Sequence, residues 1–137
     1  MSDRSFFDTN VLTYSDDHDA PDKQATALDL IEQSRRSRSG ALSTQVLQEY
    51  FVTVTRKLGV PAPVAKEKVR FFSHFAVVFV SVDDVLAAID LHQLHKLNFW
   101  DSLIVRTALT SGCSVLYTED MQHGRRFDGL QIVNPFV

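Results

Sequence analysis

Apolar side chains fall in two spacings along this chain: short unbroken runs, and stripes three or four residues apart. The first marks strands and the second amphipathic helices. Residues 5–7 form a short first strand. Residues 19–37 place Ala25, Leu28 and Ile31 at helical spacing and finish in arginines, which suit a helix C-terminus. Residues 40–43 are a second strand candidate. Residues 45–58 carry Val46, Tyr50, Val54 and Leu58 on one stripe, with Leu47 and Phe51 beside it; Gly59 and Pro61 stop that helix. A further helix is predicted over residues 63–75. Residues 77–82 are a continuous valine-rich run, the pattern of a strand buried on both faces. Asp83 is the expected N-cap of a helix reaching His95. Residues 100–111 predict another amphipathic helix closed by Gly112, and residues 114–117 and 131–133 the last strands.

Strands separated by helices of this length predict an α/β fold with a parallel sheet covered on both faces. In such sheets ligands bind outside the carboxyl ends of the strands. With 137 residues, the chain suits one domain spanning 1–137.

Composition narrows the function classes. Hydrophobic residues make up 45% and charged residues 23%, the mix of a globular protein that needs no staple. The single cysteine, Cys113, excludes an internal disulfide and a multi-cysteine zinc site, and its apolar surroundings predict a buried thiol. No segment is apolar enough for a membrane span or a signal-peptide core, so a cytoplasmic protein is expected. A net charge of −3 weighs against a uniformly basic nucleic-acid binder. The positive charge is clustered, however, at Arg35, Arg36 and Arg38, at Arg56 and Lys57, at Lys66, Lys68 and Arg70, and at Arg125 and Arg126.

Four acids fall where the strand-end rule directs attention. Asp8 follows the first strand, and Asp120 follows the strand over residues 114–117. Asp101 opens a helix, and Glu49 sits on a helix beside its apolar stripe. Singly, each has an ordinary explanation as a cap, a turn former or a solvated residue. Converging at one sheet edge, they would raise one another's pKa, and a hard divalent cation, Mg²⁺ or Mn²⁺, is the simple way to keep them ionised. Such a cation is the usual equipment for cutting a phosphodiester.

The segments around these acids resemble the PIN-domain ribonucleases. Asp8-Thr9-Asn10-Val11-Leu12 is similar to the family's opening motif, and Glu49 to its second acid. Trp100-Asp101-Ser102-Leu103-Ile104 is similar to the third-acid motif. Leu116 to Gly124, and the ending from Phe127 to Phe136, resemble the VapC-type toxins within that family. The resemblance implies a three-layer α/β/α fold with a mostly parallel sheet. It also implies Mg²⁺- or Mn²⁺-dependent cleavage of RNA, homodimerisation and inhibition by a cognate antitoxin. Residue by residue it assigns Asp8, Glu49, Asp101 and Asp120 as catalytic metal ligands. Asn10 and Thr118 become donors that orient the carboxylates, with Glu119 adding field or holding a bridging water.

Other readings were open at this level. A strand ending in Asp8 also opens phosphatases of the haloacid dehalogenase type, but those need an acid where this chain has Asn10. A catalytically inactive PIN-like RNA-binding module is the non-enzymatic alternative. His92 and His95 could share a helix face as a zinc pair, but no partner ligand supports it. His123, Arg125 and Arg126 follow the fourth acid and could approach RNA. Trp100 is read as packing. Tyr50, Phe51, Phe71, Phe72 and Phe75 are candidate anchors for a protein partner.

Overall fold

The computed structural model describes residues 3–137. Strand β1 (Ser5–Phe7) is followed by the short helix α1 (Thr9–Tyr14) and by α2 (Pro21–Ser37). Strand β2 (Gly40–Ser43) leads into α3 (Thr44–Arg56) and α4 (Ala62–Phe72), and β3 (Ala76–Val78) into α5 (Val82–His95) and α6 (Phe99–Thr110). Strands β4 (Val115–Tyr117), β5 (Arg126–Phe127) and β6 (Leu130–Val133) complete the chain. The six strands form one sheet in the order β3-β2-β1-β4-β6-β5. All neighbours are parallel except β5, which runs antiparallel to β6.

Central strand β1 sets the architecture. Consecutive residues of a strand point to opposite faces, yet Phe6 and Phe7 are both fully buried, so both faces of the sheet are covered. Phe6 pairs in register with Ala41 of β2 and Leu116 of β4, and Leu116 with Ile132 of β6, giving a buried row across the sheet. On one side of β1 the chain proceeds to β2; on the other lies β4, which forms much later in the sequence. The carboxyl ends of β1 and β4 therefore flank a topological switch point, where connecting segments diverge and leave a crevice.

The helices dock by the stripes that the sequence shows, with local corrections. On α3, Val46, Tyr50 and Val54 are fully buried, as predicted. On α2 the buried face is Ala27, Ile31 and Ser34, one step round from the expected stripe, and Leu28 is 46% exposed. The valine-rich run is not a central strand. Only Ala76–Val78 pairs, at the sheet edge and half-buried, and Phe79 beyond it is 78% exposed. The N-cap of α5 is Ser81 rather than Asp83. Ser81 accepts from the Asp84 amide and Asp84 accepts from the Ser81 amide, a reciprocal box that satisfies two helix-end donors. Helix α1 and the β5–β6 hairpin, closed at Asp128-Gly129 with Asp128 at a φ of 50°, were not legible from periodicity. Cys113 is buried, as expected. Among the described residues no helix is long and apolar enough to cross a membrane.

Gly40 opens β2 where α2 and the chain before β3 press on the sheet. A Cβ there would lie 2.6 Å from the Phe75 ring and 3.2 Å from the Ser34 Cβ. Gly40→Ala is expected to destabilise the protein by about 1–3 kcal/mol through overpacking, with partial recovery in the Gly40→Ala/Phe75→Leu double variant. Urea unfolding of the wild type, the single variant and the double variant checks this; an unchanged single variant would show that the Phe75 ring moves freely.

Candidate active site

Asp8 stands at the carboxyl end of β1 with a side chain only 5% exposed. Its backbone amide donates to the Tyr117 carbonyl of β4 at 3.0 Å, fixing the residue at the switch point. One carboxylate oxygen accepts from the Thr9 amide at 2.7 Å, so Asp8 also caps α1. The other accepts from Thr118 Oγ1 at 2.8 Å. The sequence left a choice between cap and site residue; the structure shows the cap and places the same side chain in the cleft described below.

The other acids arrive from three further elements. Asp120 lies in the loop after β4. Asn10 Nδ2 donates to its carboxylate at 3.0 Å, and its backbone amide donates to Thr118 Oγ1 at 3.1 Å. Asn10 Oδ1 accepts from the Glu119 amide at 3.2 Å. Asn10 and Thr118 thus tie the loop after β4 to the end of β1. Asp101 sits in the first turn of α6. Asn98, the N-cap, accepts from the Asp101 amide at 2.8 Å and donates from Nδ2 to the Asp101 carboxylate at 2.9 Å. Glu49 of α3 accepts from Thr9 Oγ1 at 2.7 Å and from Gln45 Nε2 at 3.4 Å. Thr9, Gln45 and Asn98 were not singled out from sequence. Only Asn98 carried a signal, an Asn three residues before an acid at a helix start.

Asp8, Glu49, Asp101 and Asp120 all line one cleft of about 740 Å³. Glu119 does not. Its carboxylate is held by Lys23 and by the Tyr14 hydroxyl at 2.7 Å. Burial alone would raise the Glu119 carboxyl, but these two partners outweigh it and hold it below the ordinary range. Lys57, at the end of α3, is the one basic side chain lining the cleft among the described residues. Trp100 also lines the cleft and is 61% exposed, so it is not a packing residue.

The remaining candidates lie elsewhere. His92 Nδ1 is engaged by the Leu97 carbonyl, and His95 packs edge-on against Phe127, so the two imidazoles do not form a pair. His123 Nδ1 accepts from the Asn134 amide at 3.0 Å. Arg125 lies over the Phe127 ring, and Arg126 donates to Gln131. Arg35 and Arg36 both pair with Glu32 on the exposed face of α2.

Electrostatics single out Asp8. Burial pushes its carboxyl up to about 7; the Thr118 and Thr9 hydrogen bonds oppose this, and the charges of Asp101 and Asp120 add to it. Asp101 is raised as well, first by burial and then, against the Asn98 bond, by Asp120 and Glu49. A buried carboxylate facing further acids lacks a counter-charge, and the donor set is all oxygen, which suits a hard divalent cation. Among the described residues no three His, Cys, Asp or Glu side chains close into a ready-made coordination set. Gln45 Oε1, buried on the cleft wall without a partner, is an acceptor left for a donor such as water. The residues fit such a cation in kind.

The raised Asp8 pKa has a consequence for stability. The folded protein holds this proton more tightly than the unfolded chain, whose Asp titrates near 3.8. Its destabilising effect is therefore absent below that value and complete above about 7. In EDTA, the wild-type protein is expected to lose roughly 2–3 kcal/mol between about pH 5 and pH 8 from this group, whereas Asp8→Asn has nothing to titrate there. Urea unfolding at both pH values should show the variant's advantage widening as pH rises; a constant gap would mean that Asp8 is ionised throughout.

The PIN domain family model matches residues 5–128. No curated protein matches the chain significantly. Among solved structures, a toxin–antitoxin complex from Klebsiella pneumoniae superposes with a TM-score of 0.67 at 22% identity, covering 96% of this chain and 97% of its own. The sarcin–ricin-loop-cleaving toxin VapC20 of Mycobacterium tuberculosis gives 0.67 at 22% identity over 85% of this chain and 89% of its own. VapBC2 of Rickettsia felis, bound to a promoter DNA fragment, gives 0.65 at 20% identity over 93% of this chain and 96% of its own. At these identities the likeness is one of fold. With the family model spanning nearly the whole chain and the sheet order placing an acid cleft at its switch point, this protein belongs to the PIN domain family.

Proposed function

We propose that this protein is a Mg²⁺- or Mn²⁺-dependent endoribonuclease, the toxin of a toxin–antitoxin pair. The observation that carries this reading is the convergence of Asp8, Glu49, Asp101 and Asp120, from four separate elements, on one cleft of a PIN-family sheet. Those four side chains would hold the cation. When bound, it supplies Lewis acidity, making water a nucleophile at neutral pH and offsetting charge on the attacked phosphate. Thr118 fixes Asp8, Asn10 fixes Asp120, Asn98 fixes Asp101, and Thr9 with Gln45 fixes Glu49. Each acid is thus oriented before substrate arrives, which lowers the reorganisation needed during reaction. Such a nuclease would act where cellular RNA is, in the cytoplasm.

Two surfaces support the partners implied by the toxin reading. A groove of about 770 Å³ between α3 and α4 is lined by Leu47, Phe51, Val52, Pro63 and Val69. Gln48 and Val52 line both this groove and the acid cleft, so an antitoxin segment seated here reaches the cleft directly. It could present a basic side chain to the carboxylates. Tyr50 and Phe72 are fully buried and unavailable to a partner, whereas Phe51 and Phe71 are each 37% exposed. On α5, Val82, Leu86 and Ile89 form an exposed apolar stripe that suits a second copy of the chain.

The catalytic reading makes a graded prediction. Asp101→Asn and Asp120→Asn should each cut RNA at least about 100-fold more slowly, and EDTA should abolish cleavage, whereas Glu119→Gln should have a milder effect. Gel assays on total RNA, with and without Mg²⁺, measure this; full activity in EDTA would exclude the cation. For the partners, Phe51→Asp should lose co-purification with the protein encoded by the adjacent gene, and Leu86→Glu should sediment as a monomer, both with RNA cleavage intact. A retained complex and an unchanged mass would assign the partners to other faces.

A further inference from the structure

We propose that Trp100 is the platform on which an unpaired base stacks when an RNA strand occupies the acid cleft; this rests on the ribonuclease reading above. Trp100 precedes Asp101 directly and lines the same cleft. Its indole is 61% exposed, a large apolar surface left facing solvent beside a group of carboxylates. The residue is nonetheless well anchored. Its backbone lies in the first turn of α6, its carbonyl accepts from Gln45 Nε2 at 3.4 Å, and its ring meets Phe99 edge-on at 5.2 Å. Gln45 also donates to Glu49, so the Trp100 main chain and one of the acids share a support. An anchored main chain beneath a free aromatic face is the arrangement that single-strand binders use, because every base has a π-face.

The occupant is a nucleic-acid base rather than a protein side chain because of where the indole sits. The apolar groove suited to a protein segment lies between α3 and α4 and does not include Trp100. The cleft that holds Trp100 joins carboxylates with apolar side chains, Val52, Leu58 and Ile104, and Lys57 adds a cation at the end of α3, a mixture that suits a charged strand with apolar base faces. Glu49 on α3 and Lys57, its C-cap, are eight residues apart, roughly 12 Å along the helix axis. A strand lying along that wall can place one phosphate among the acids and another on Lys57, with a base turned onto Trp100.

Trp100 is the only tryptophan in the sequence, so indole fluorescence, excited at wavelengths beyond tyrosine absorption, reports its surroundings alone. Titrating single-stranded oligoadenylate into the Asp8→Asn protein in Mg²⁺ buffer is expected to quench that emission, and a fully paired duplex is not. Binding of labelled oligoadenylate, followed by anisotropy, should weaken about tenfold in both Trp100→Ala and Trp100→Leu and stay within about threefold in Trp100→Phe. Because leucine is apolar but cannot stack, equal binding by the leucine variant and wild type overturns the proposal. So does an unquenched indole. Unchanged RNA binding with a fall in sedimentation mass for Trp100→Ala also overturns it, assigning the indole to a protein interface. The underlying reading fails separately, if wild-type protein cuts no RNA in Mg²⁺ or if Asp8→Asn cuts at the wild-type rate.

Discussion

The Asp8 carboxylate lies at the end of the central strand, 5% exposed, and is held there by the Thr9 amide and the Thr118 hydroxyl. These two bonds belong to two different connections, the turn into α1 and the loop after β4, so one side chain joins the segments that diverge at the switch point. Desolvation and the neighbouring acids oppose its ionisation. An amide would cap α1 equally well without the charge, so capping alone does not account for a carboxylate at this position.

From that residue the rest of the cleft follows by short hydrogen-bonded steps. Thr118 links Asp8 to the Asp120 amide, and Asn10 links Asp120 and Glu119 to the start of α1. Thr9, next in sequence to Asp8, reaches across to Glu49 on α3. Asp101, by contrast, is oriented by the N-cap of its own helix, Asn98. Three of the four acids therefore form one coupled unit, and a change at Asn10 or Thr9 acts on the cleft without touching its centre. The ion pair of Glu119 with Lys23 does the opposite: it removes one negative charge from a crowded region and fastens α2 to the loop after β4.

The two long walls of the cleft have different characters. Helix α3 presents Glu49 and Lys57 to the cleft and Leu47 and Phe51 to the apolar groove behind it. One helix thus separates the acid cleft from the apolar groove. Helix α6 buries Leu103, Ile104, Val105 and Ala108 in the core, which holds its first turn rigid and leaves Trp100 and Asp101 at the rim. Rigidity below and exposure above are what let an aromatic ring serve as a binding surface.

The alternation of apolar runs and stripes determined by itself that this chain makes a parallel sheet covered by helices, because burial on both faces demands that pattern. The spacing of Asp8, Glu49, Asp101 and Asp120 relative to those elements marked the acids, since each falls at a strand end or on a helix next to one. The position of β3 was not legible: a valine-rich run looks the same at an edge as at the centre, and only the sheet order leaves Phe79 in solvent. The hairpin closed at Asp128-Gly129 was not legible either, because its strands are too short for periodicity. Long-range partners lay furthest beyond reach. Nothing in the sequence near Thr9 says that it meets Glu49, or that Lys23 meets Glu119 across 96 residues. Such pairs are set by how helices and strands dock, and docking depends on the whole buried surface rather than on any local spacing. The exposure of Trp100 has the same origin: Phe99 before it and Asp101 after it leave both a packed and an exposed ring open, and tertiary structure alone decided that Trp100 is 61% exposed and lines the cleft.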